Sequence, residues 1–124
     1  MITDLPMLFA FIEVESAFDA HAFLADSNGG SYGLTQLDYS TAKDRGFIGN
    51  PIHLYNPVTN IKYFQAQIEW ITKELASHGL AASIDNIAAS YNSGLQHILD
   101  GATDPAYVAK ITAAYARWQA ALNG

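Results

Sequence analysis

The chain is organised around a stretch that opens with Glu15-Ser16-Ala17-Phe18 and closes with Ser31-Tyr32-Gly33-Leu34-Thr35-Gln36. The segment from Leu5 to Phe18 is almost wholly apolar and contains no glycine, which predicts a helix buried on most sides. Two carboxylates, Glu13 and Glu15, interrupt it. Residues two positions apart point in directions about 200° apart on a helix, so only one of them can face a given site.

Glu15 is the candidate catalytic acid. At helical spacing it has Phe11, Ile12 and Phe18 at its i−4, i−3 and i+3 positions. An apolar wall of that kind disfavours the ionised carboxylate, so we expect its pKa to be raised. The helix pattern alone favours a solvated surface position, which is the usual place of a helical glutamate. The sequence that follows residues 5–18 favours the other interpretation, in which Glu15 is the catalytic acid.

Turn-forming residues follow the first helix. The segment from Asp26 to Gly33 has three glycines, one asparagine and two serines, a composition typical of turns. Within it and just after it, only Ser31 to Leu37 offers β-favouring residues. We therefore expect at most a small hairpin within Asp26 to Leu37.

The remaining patterns predict helices with recognisable ends and one loop, Phe47 to Tyr55. The helices are Tyr39 to Arg45 capped by Asp38, a long helix from Asn56-Pro57 to a stop at Gly79, Ile84 to Asn92 capped by Ser83, a short turn at Leu95 to Leu99, and a last helix opened by Asp104-Pro105. The expected fold class is therefore all-α, or α+β at most.

Composition narrows the function. The chain has 124 residues and 50% hydrophobic content, which predicts one domain over residues 1–124. Twelve acidic residues against six basic ones give a net charge of −6, which argues against nucleic acid or an anionic membrane surface as partner. The four histidines are scattered and cysteine is absent, so we expect no metal and no cofactor.

Several blocks occur in the order typical of a known family, and together they resemble the lytic transglycosylase (soluble-transglycosylase, SLT, lysozyme-like) domain from roughly Leu5 to Tyr115. The blocks are Glu15-Ser16-x-Phe18-Asp19, Gly30 to Gln36, Thr41-Ala42, Gly46, Asn56 to Ile61 and Ala89 to Gly94. The resemblance implies a lysozyme-like domain with a small irregular β-hairpin. The chain departs from it at Thr35, where the family usually has Met, at Ser31, where Ala is common, and at Asp38, where many members have an apolar residue.

The resemblance also implies roles for individual residues. It makes Glu15 the single catalytic acid/base and places Gln36 in the sugar cleft, with Tyr91 reaching toward the catalytic carboxylate. Ser27 falls where the family often has a substrate-contacting serine. The residues of the matching blocks that we expect to bind substrate as well are Ser31, Tyr32 and Asn92.

The implied reaction is cleavage of the bond between N-acetylmuramic acid and N-acetylglucosamine in peptidoglycan, with a 1,6-anhydro end. One alternative is an inverting muramidase (hydrolase) of goose type, a related family that also has an Asp at the position of Asp38. A second carboxylate about 6.5–9.5 Å from Glu15 would activate water there, and Asp26 could assist it. Another alternative is a glycan-binding module without catalysis. Because Asp38 also fits a helix cap, we expect the transglycosylase.

The first residues lack a basic segment, and Pro6, Glu13 and Glu15 oppose a signal peptide or a membrane span. Members of the family act on the cell wall and are usually exported. The resemblance therefore implies that the chain acts on peptidoglycan glycan strands in the periplasm or cell wall. We expect the domain to be excised from or part of a larger cell-wall or phage protein, exported or delivered by a phage particle or secretion system.

Overall fold

The computed structural model describes residues 4–123. Within this range the helices are α1 (Leu5–Ser16), α2 (Tyr39–Asp44), α3 (Pro57–Ser77), α4 (Ile84–Ser93), α5 (Leu95–Leu99) and α6 (Pro105–Asn123), and Pro51–Tyr55 forms a 3-10 turn. Three strands of two residues each complete the list: β1 (Phe23–Leu24), β2 (Ser31–Tyr32) and β3 (Leu37–Asp38). The predicted fold class, mainly helical with a small β element, is confirmed.

The strands form one antiparallel sheet in the order β1-β2-β3. Phe23 pairs with Tyr32, and Tyr32 pairs in turn with Leu37. The sheet thus extends beyond the range expected for a hairpin, since β1 precedes Asp26 and β3 reaches Asp38. A strand of two residues carries no alternation that a sequence pattern could reveal, and β1 forms because the turn after it brings Tyr32 alongside.

The first helix is shorter than predicted. It ends at Ser16 rather than Phe18, because Ala17 and Phe18 adopt left-handed backbone angles of φ 52° and 65°. The other predicted helix ends hold within about a residue. Asp38 caps α2 by accepting a hydrogen bond from the Ser40 amide at 2.9 Å, and Ser83 caps α4. The predicted loop before α3 contains the 3-10 turn.

The described residues form two compact units. The sheet unit comprises Phe11–Gln67, and the helical unit comprises Asp4–Ala10 and residues 68–123. In the sheet unit the buried cluster consists of Tyr32, Leu37, Ala42, Phe47 and Leu54, and the Phe11 and Phe64 rings pack with centroids 5.3 Å apart. The expectation of a single domain over residues 1–124 stays a prediction.

The helical unit is built on helix packing. Its buried apolar residues include Ile71, Leu75, Ile87, Ala88, Ile111 and Ala114. Asp4 caps α1 by accepting from the Met7 amide at 3.0 Å, and the Tyr115 hydroxyl donates to the other Asp4 oxygen at 2.9 Å. Among residues 4–123, no helix has the length and apolar character needed to span a membrane.

Candidate active site

Glu15 lies in the last turn of α1 and is half-buried, as is Glu13. The next residue, Ser16, fixes this turn. Its hydroxyl donates to the carbonyl of Leu34 at 2.7 Å, with the Ile12 carbonyl as a second acceptor at 3.1 Å. The shorter bond joins residues 18 positions apart, so the turn that carries the candidate acid is tied to the loop that carries Gln36.

The apolar wall predicted for Glu15 assumed that α1 continues to Phe18. Phe11 and Ile12 are buried core residues of α1. Phe18 lies outside the helix and is 48% exposed, so the predicted i+3 helical spacing from Glu15 is wrong. The helix ends early because Ala17 and Phe18 have left-handed backbone angles, which turn the chain out of the helix axis. The expected protonation of Glu15 near neutral pH stays a prediction.

The loop from Gly33 to Gln36 has a strained, tightly bonded backbone. Gly33 has φ 74°, and its amide donates to the Ala22 carbonyl at 2.8 Å. The Gly33 carbonyl accepts from both the amide and the side-chain Nε2 of Gln36, at 3.1 and 3.2 Å. Gln36 itself has φ 49°, an unfavourable angle for a residue with a Cβ. The loop therefore holds Gln36 in one backbone conformation.

Asn60 of α3 is completely buried and binds this loop. Its Oδ1 accepts from the amide and the hydroxyl of Thr35, at 3.2 and 2.7 Å. Its Nδ2 donates to the carbonyls of Tyr32 and Leu54, at 2.8 and 2.9 Å. Asn60 lies in the matching block Asn56 to Ile61, but the resemblance implied no role for it. The available signal was a polar residue one turn before Phe64, on the apolar stripe of the long helix.

Asp26 and Asp38 form a hydrogen-bonded carboxyl pair. Burial is the main cause that raises the pKa of Asp38, whereas the hydrogen bond from Asp38, followed by that from the Gly30 amide, lowers the pKa of Asp26. Of the two carboxyls, Asp38 is therefore the one that protonates first as pH falls. Asp26 Oδ1 also accepts from the amides of Asn28 and Gly30 at 2.7 and 2.9 Å. Asp38 Oδ1 accepts from the Ser40 hydroxyl at 2.6 Å.

The predicted substrate-binding residues of the sheet unit lie in different surroundings. Ser27 is exposed in the turn after Asp26. Ser31 is half-buried in β2, and its hydroxyl donates to Asp26 Oδ2 at 3.2 Å. Tyr32 is a core residue whose hydroxyl donates to the Gly29 carbonyl at 3.0 Å, and burial raises its pKa. Substrate binding by these three residues stays a prediction.

Tyr91 and Asn92 lie in the last turns of α4, in the helical unit, where Tyr91 is half-buried and Asn92 is exposed. The helical unit also has an open groove of about 510 Å³ formed by α4, α6 and the segment that joins α5 to α6. None of the predicted site residues lines this groove. The roles of Tyr91 and Asn92 toward substrate stay predictions.

Carboxyl and amide side chains are the candidate functional groups of the sheet unit. In the part of the chain that the structure describes, no three His, Asp or Glu side chains are grouped so that they could hold a metal ion. The sheet unit contains one half-buried glutamate at a helix end, a glutamine on a strained loop, and a carboxyl pair. General acid/base chemistry needs groups of this kind.

Comparison with known proteins identifies the family of this chain. The family model described as the transglycosylase SLT domain matches residues 3–115. No curated protein matches the chain at a significant level.

Among solved structures, the 70 kDa soluble lytic transglycosylase of Escherichia coli is similar, with TM-score 0.76 and 18% identity over 94% of this chain. An inactive glutamate-to-glutamine mutant of the lytic transglycosylase Slt from Pseudomonas aeruginosa is also similar, with TM-score 0.79 and 20% identity over 95% of this chain. The chain spans 22% of the length of each of these proteins. The fold is thus the one these enzymes contain, and the chain belongs to the transglycosylase SLT domain family.

Proposed function

We propose that this chain is the catalytic domain of a peptidoglycan lytic transglycosylase. It cleaves glycan strands between N-acetylmuramic acid and N-acetylglucosamine and leaves a 1,6-anhydro end. The family match over residues 3–115 supports this, as do the two similar structures, both named as lytic transglycosylases. The inactive state of the Pseudomonas mutant supports an essential glutamate in that protein.

The observation that carries the proposal is the bond from Ser16 to Leu34. It fixes the turn of Glu15 against the loop of Gln36, although 18 residues separate the bonded pair. An acid/base and a sugar-binding amide must hold a constant separation for efficient proton transfer, because small misplacements cost large factors in rate. A solvated surface glutamate would have no need of such an anchor.

Glu15 works in two steps in this reaction. In the first, its carboxyl proton moves to the glycosidic oxygen while the bond from the anomeric carbon to that oxygen breaks. In the second, the Glu15 carboxylate takes the proton of the muramyl 6-hydroxyl while that oxygen bonds to the anomeric carbon. Glu15 is then protonated again and no water is consumed. Gln36 holds the sugar at the cleavage point by hydrogen bonding, in keeping with its fixed backbone.

The goose-type alternative needs an ionised base at Asp38 or Asp26. Asp38 Oδ1 accepts from both the amide and the hydroxyl of Ser40, as the cap of α2 requires. Asp26 is ionised, but its lowered pKa makes it a weak base, and its oxygens accept three further hydrogen bonds. Both carboxyls have structural partners, and this supports the reaction without a second carboxylate.

The domain acts in the periplasm or cell wall, where peptidoglycan lies, as part of a larger protein. The small share of each similar structure that it covers, 22%, supports a multidomain parent. Export, or delivery by a phage particle or a secretion system, brings it to the wall. Its partners are peptidoglycan glycan strands, and its net charge of −6 opposes binding to nucleic acid.

The test compares Glu15→Gln with Glu13→Gln on purified peptidoglycan. Because general acid/base catalysis contributes typically about 10²–10⁴-fold, Glu15→Gln should lose at least a hundredfold in rate. Glu13→Gln, two positions away on the same helix, should keep most of it. Mass analysis of the wild-type products should give ends about 18 Da lighter than hydrolysed ones. Products with ordinary reducing ends would favour the muramidase, and binding without cleavage would favour the glycan-binding module.

A further inference from the structure

We propose that Asn60 is a positioning residue that sets the conformation of the loop carrying Gln36. The inference rests on the proposed function, since it assigns Gln36 to the sugar cleft. Asn60 is fully buried, so its side chain has no exposed surface to offer a substrate. It acts on catalysis only through the backbone of the Tyr32 to Gln36 segment.

The amide group of Asn60 is fully used. It makes four hydrogen bonds, two accepted from Thr35 and two donated to the carbonyls of Tyr32 and Leu54. Two of its partners, Tyr32 and Thr35, flank Gly33 and Leu34. The bond to Tyr32 bridges 28 residues of sequence, and the bonds to Thr35 bridge 25. Asn60 therefore clamps both ends of the turn that precedes Gln36.

Gly33 leaves the space that the Asn60 amide occupies. A Cβ on Gly33 would lie 2.7 Å from Asn60 Nδ2 and 2.7 Å from the Leu54 carbonyl oxygen. Gly33 is therefore needed for Asn60 to approach, and Asn60 in turn satisfies the carbonyls of the buried residues Tyr32 and Leu54. Leaving a buried polar group without a partner costs more than the net gain of an average hydrogen bond, so the clamp holds a single conformation.

Thr35 adds a bond that depends on its side chain. Its hydroxyl donates to Asn60 Oδ1 at 2.7 Å, the shortest of the four bonds, and Thr35 is completely buried. A thioether at this position would have no hydrogen to donate. The next residue is Gln36, whose left-handed backbone must be stabilised by its neighbours. The Thr35 to Asn60 pair supplies that stabilisation directly before the strained residue.

Asn60→Asp gives a test with a signature of its own. The introduced carboxylate still accepts from Thr35, but at neutral pH its second oxygen faces two carbonyl oxygens. Protonation at low pH restores one donated hydrogen bond. Burial and the two carbonyls raise the pKa of that carboxyl, so the defect is present above this pKa and shrinks as pH falls through it. We expect kcat at pH 7.5 to fall about thirtyfold, equal to about 2 kcal/mol of barrier.

The measured quantity is the ratio of variant to wild-type kcat on soluble glycan strands from pH 7.5 to 4.5. For Asn60→Asp, this kcat ratio should rise at least fivefold as pH falls from 7.5 to 4.5. Asn56→Asp is the matched control, because Asn56 is exposed at the start of the same helix and caps it by accepting from the Val58 amide at 3.0 Å, as an aspartate also can. Its ratio should stay near one throughout. A ratio for Asn60→Asp that is flat with pH would overturn the inference.

A second pair of variants keeps the inference testable if Asn60→Asp does not fold. Thr35→Val keeps the shape and loses the hydroxyl, and Thr35→Ser keeps the hydroxyl. We expect Thr35→Val to increase amide hydrogen exchange at Gln36 at least fivefold and to lower kcat. Thr35→Ser should remain within twofold of wild type in both. Equal exchange at Gln36 in the two variants would contradict the clamp.

The exchange measurement separates this inference from the proposed function. If wild-type protein cleaves no peptidoglycan, the proposed activity fails, and faster exchange at Gln36 in Thr35→Val still shows that Asn60 and Thr35 hold the loop. If wild-type protein cleaves and exchange at Gln36 is the same in all variants, the positioning role fails and the activity stands.

Discussion

The sheet unit and the helical unit are stabilised by different kinds of contact. In the sheet unit, side chains distant in sequence bind backbone groups, as Ser16 does at Leu34 and Asn60 does at Tyr32. The non-glycine residues with left-handed backbones in residues 4–123 are all in this unit: Ala17, Phe18 and Gln36. In the helical unit, regular helices bury Ile87 of α4 and Ile111 of α6.

This difference indicates a division of roles. Apolar packing between helices supplies stability and tolerates small shifts, because burial is not directional. Hydrogen bonds to a strained loop supply little net stability but fix atoms within narrow limits, which catalysis requires. We therefore expect the loss of a positioning hydrogen bond in the sheet unit to affect activity more than stability, and the loss of an apolar side chain in the helical unit to do the reverse. Ile111→Ala and Ser16→Ala test this expectation directly. Gly33→Ala, which disrupts the loop itself, and Asp38→Asn, which keeps its hydrogen bonds, set the largest and the smallest effects.

Gly33→Ala should have the largest effect. The new Cβ would meet Asn60 Nδ2 and the Leu54 carbonyl at 2.7 Å, and the residue would keep φ 74°. Overpacking and a left-handed alanine together cost about 3–5 kcal/mol. The thermal midpoint should fall steeply and cleavage should be lost. Gly79→Ala is the control, because Gly79 also has a left-handed φ of 72° but nothing lies within 4 Å of its Cβ position. A similar loss in both variants would leave only backbone strain as the cause.

Ile111→Ala tests the helical unit. Ile111 is fully buried in α6, and removing its side chain should cost about 3 kcal/mol of unfolding free energy through lost burial and the cavity left behind. Chemical denaturation measures this loss. Activity per folded molecule should remain within about threefold of wild type, or under about 0.7 kcal/mol of barrier. A tenfold loss of kcat in fully folded protein would contradict the division of roles.

Ser16→Ala should show the opposite pattern. The variant loses the 2.7 Å bond to the Leu34 carbonyl and should destabilise the protein by about 1 kcal/mol. Because the same bond fixes Glu15 relative to Gln36, kcat should fall at least tenfold, more than the change in stability alone explains. Ser16→Thr, which keeps the hydroxyl, serves as the rescue variant. Full activity in Ser16→Ala would show that the bond does not position Glu15.

Asp38→Asn should have the smallest effect on activity. Asparagine can accept from the Ser40 amide and donate to Asp26, so it resembles the protonated Asp38. We expect less than about a tenfold loss of rate, or under about 1.4 kcal/mol of barrier. A thousandfold loss, together with hydrolysed ends from wild-type protein, would move the assignment to the goose-type muramidase.

The same variant should change the pH dependence of stability. The pKa of Asp38 is raised in the folded protein, so its contribution is full below the ordinary aspartate value of about 3.9 and is lost as pH rises through the raised pKa. The contribution of Asp26 to stability has the opposite pH dependence. Because its pKa is lowered in the folded protein, that contribution is lost as pH falls. Asp38→Asn should therefore remove the loss of stability that accompanies ionisation of Asp38 as pH rises. Thermal midpoints measured from pH 3 to 7 check this, with Asp44→Asn on the exposed end of α2 as the control.

Much of the fold could be predicted from local sequence. The cap at Asp38 and the glycine stop at Gly79 depend on residues within one or two turns, and both occur where the pattern placed them. The candidate acid, Glu15, was identified from its motif and its position at the end of an apolar segment. Residues close in sequence interact in the same way whatever the rest of the chain does, so such features are encoded locally.

Tertiary structure decided the rest. The left-handed turn at Ala17 and Phe18, the pairing of β1, and the hydrogen bond between Asp26 and Asp38 all depend on segments that meet only in the folded chain. The four bonds of Asn60 span from 6 to 28 residues. A buried amide finds its partners through chain topology, which no local pattern records. The sequence by itself therefore determined which residues could carry the chemistry, and the folded chain determined how they are held.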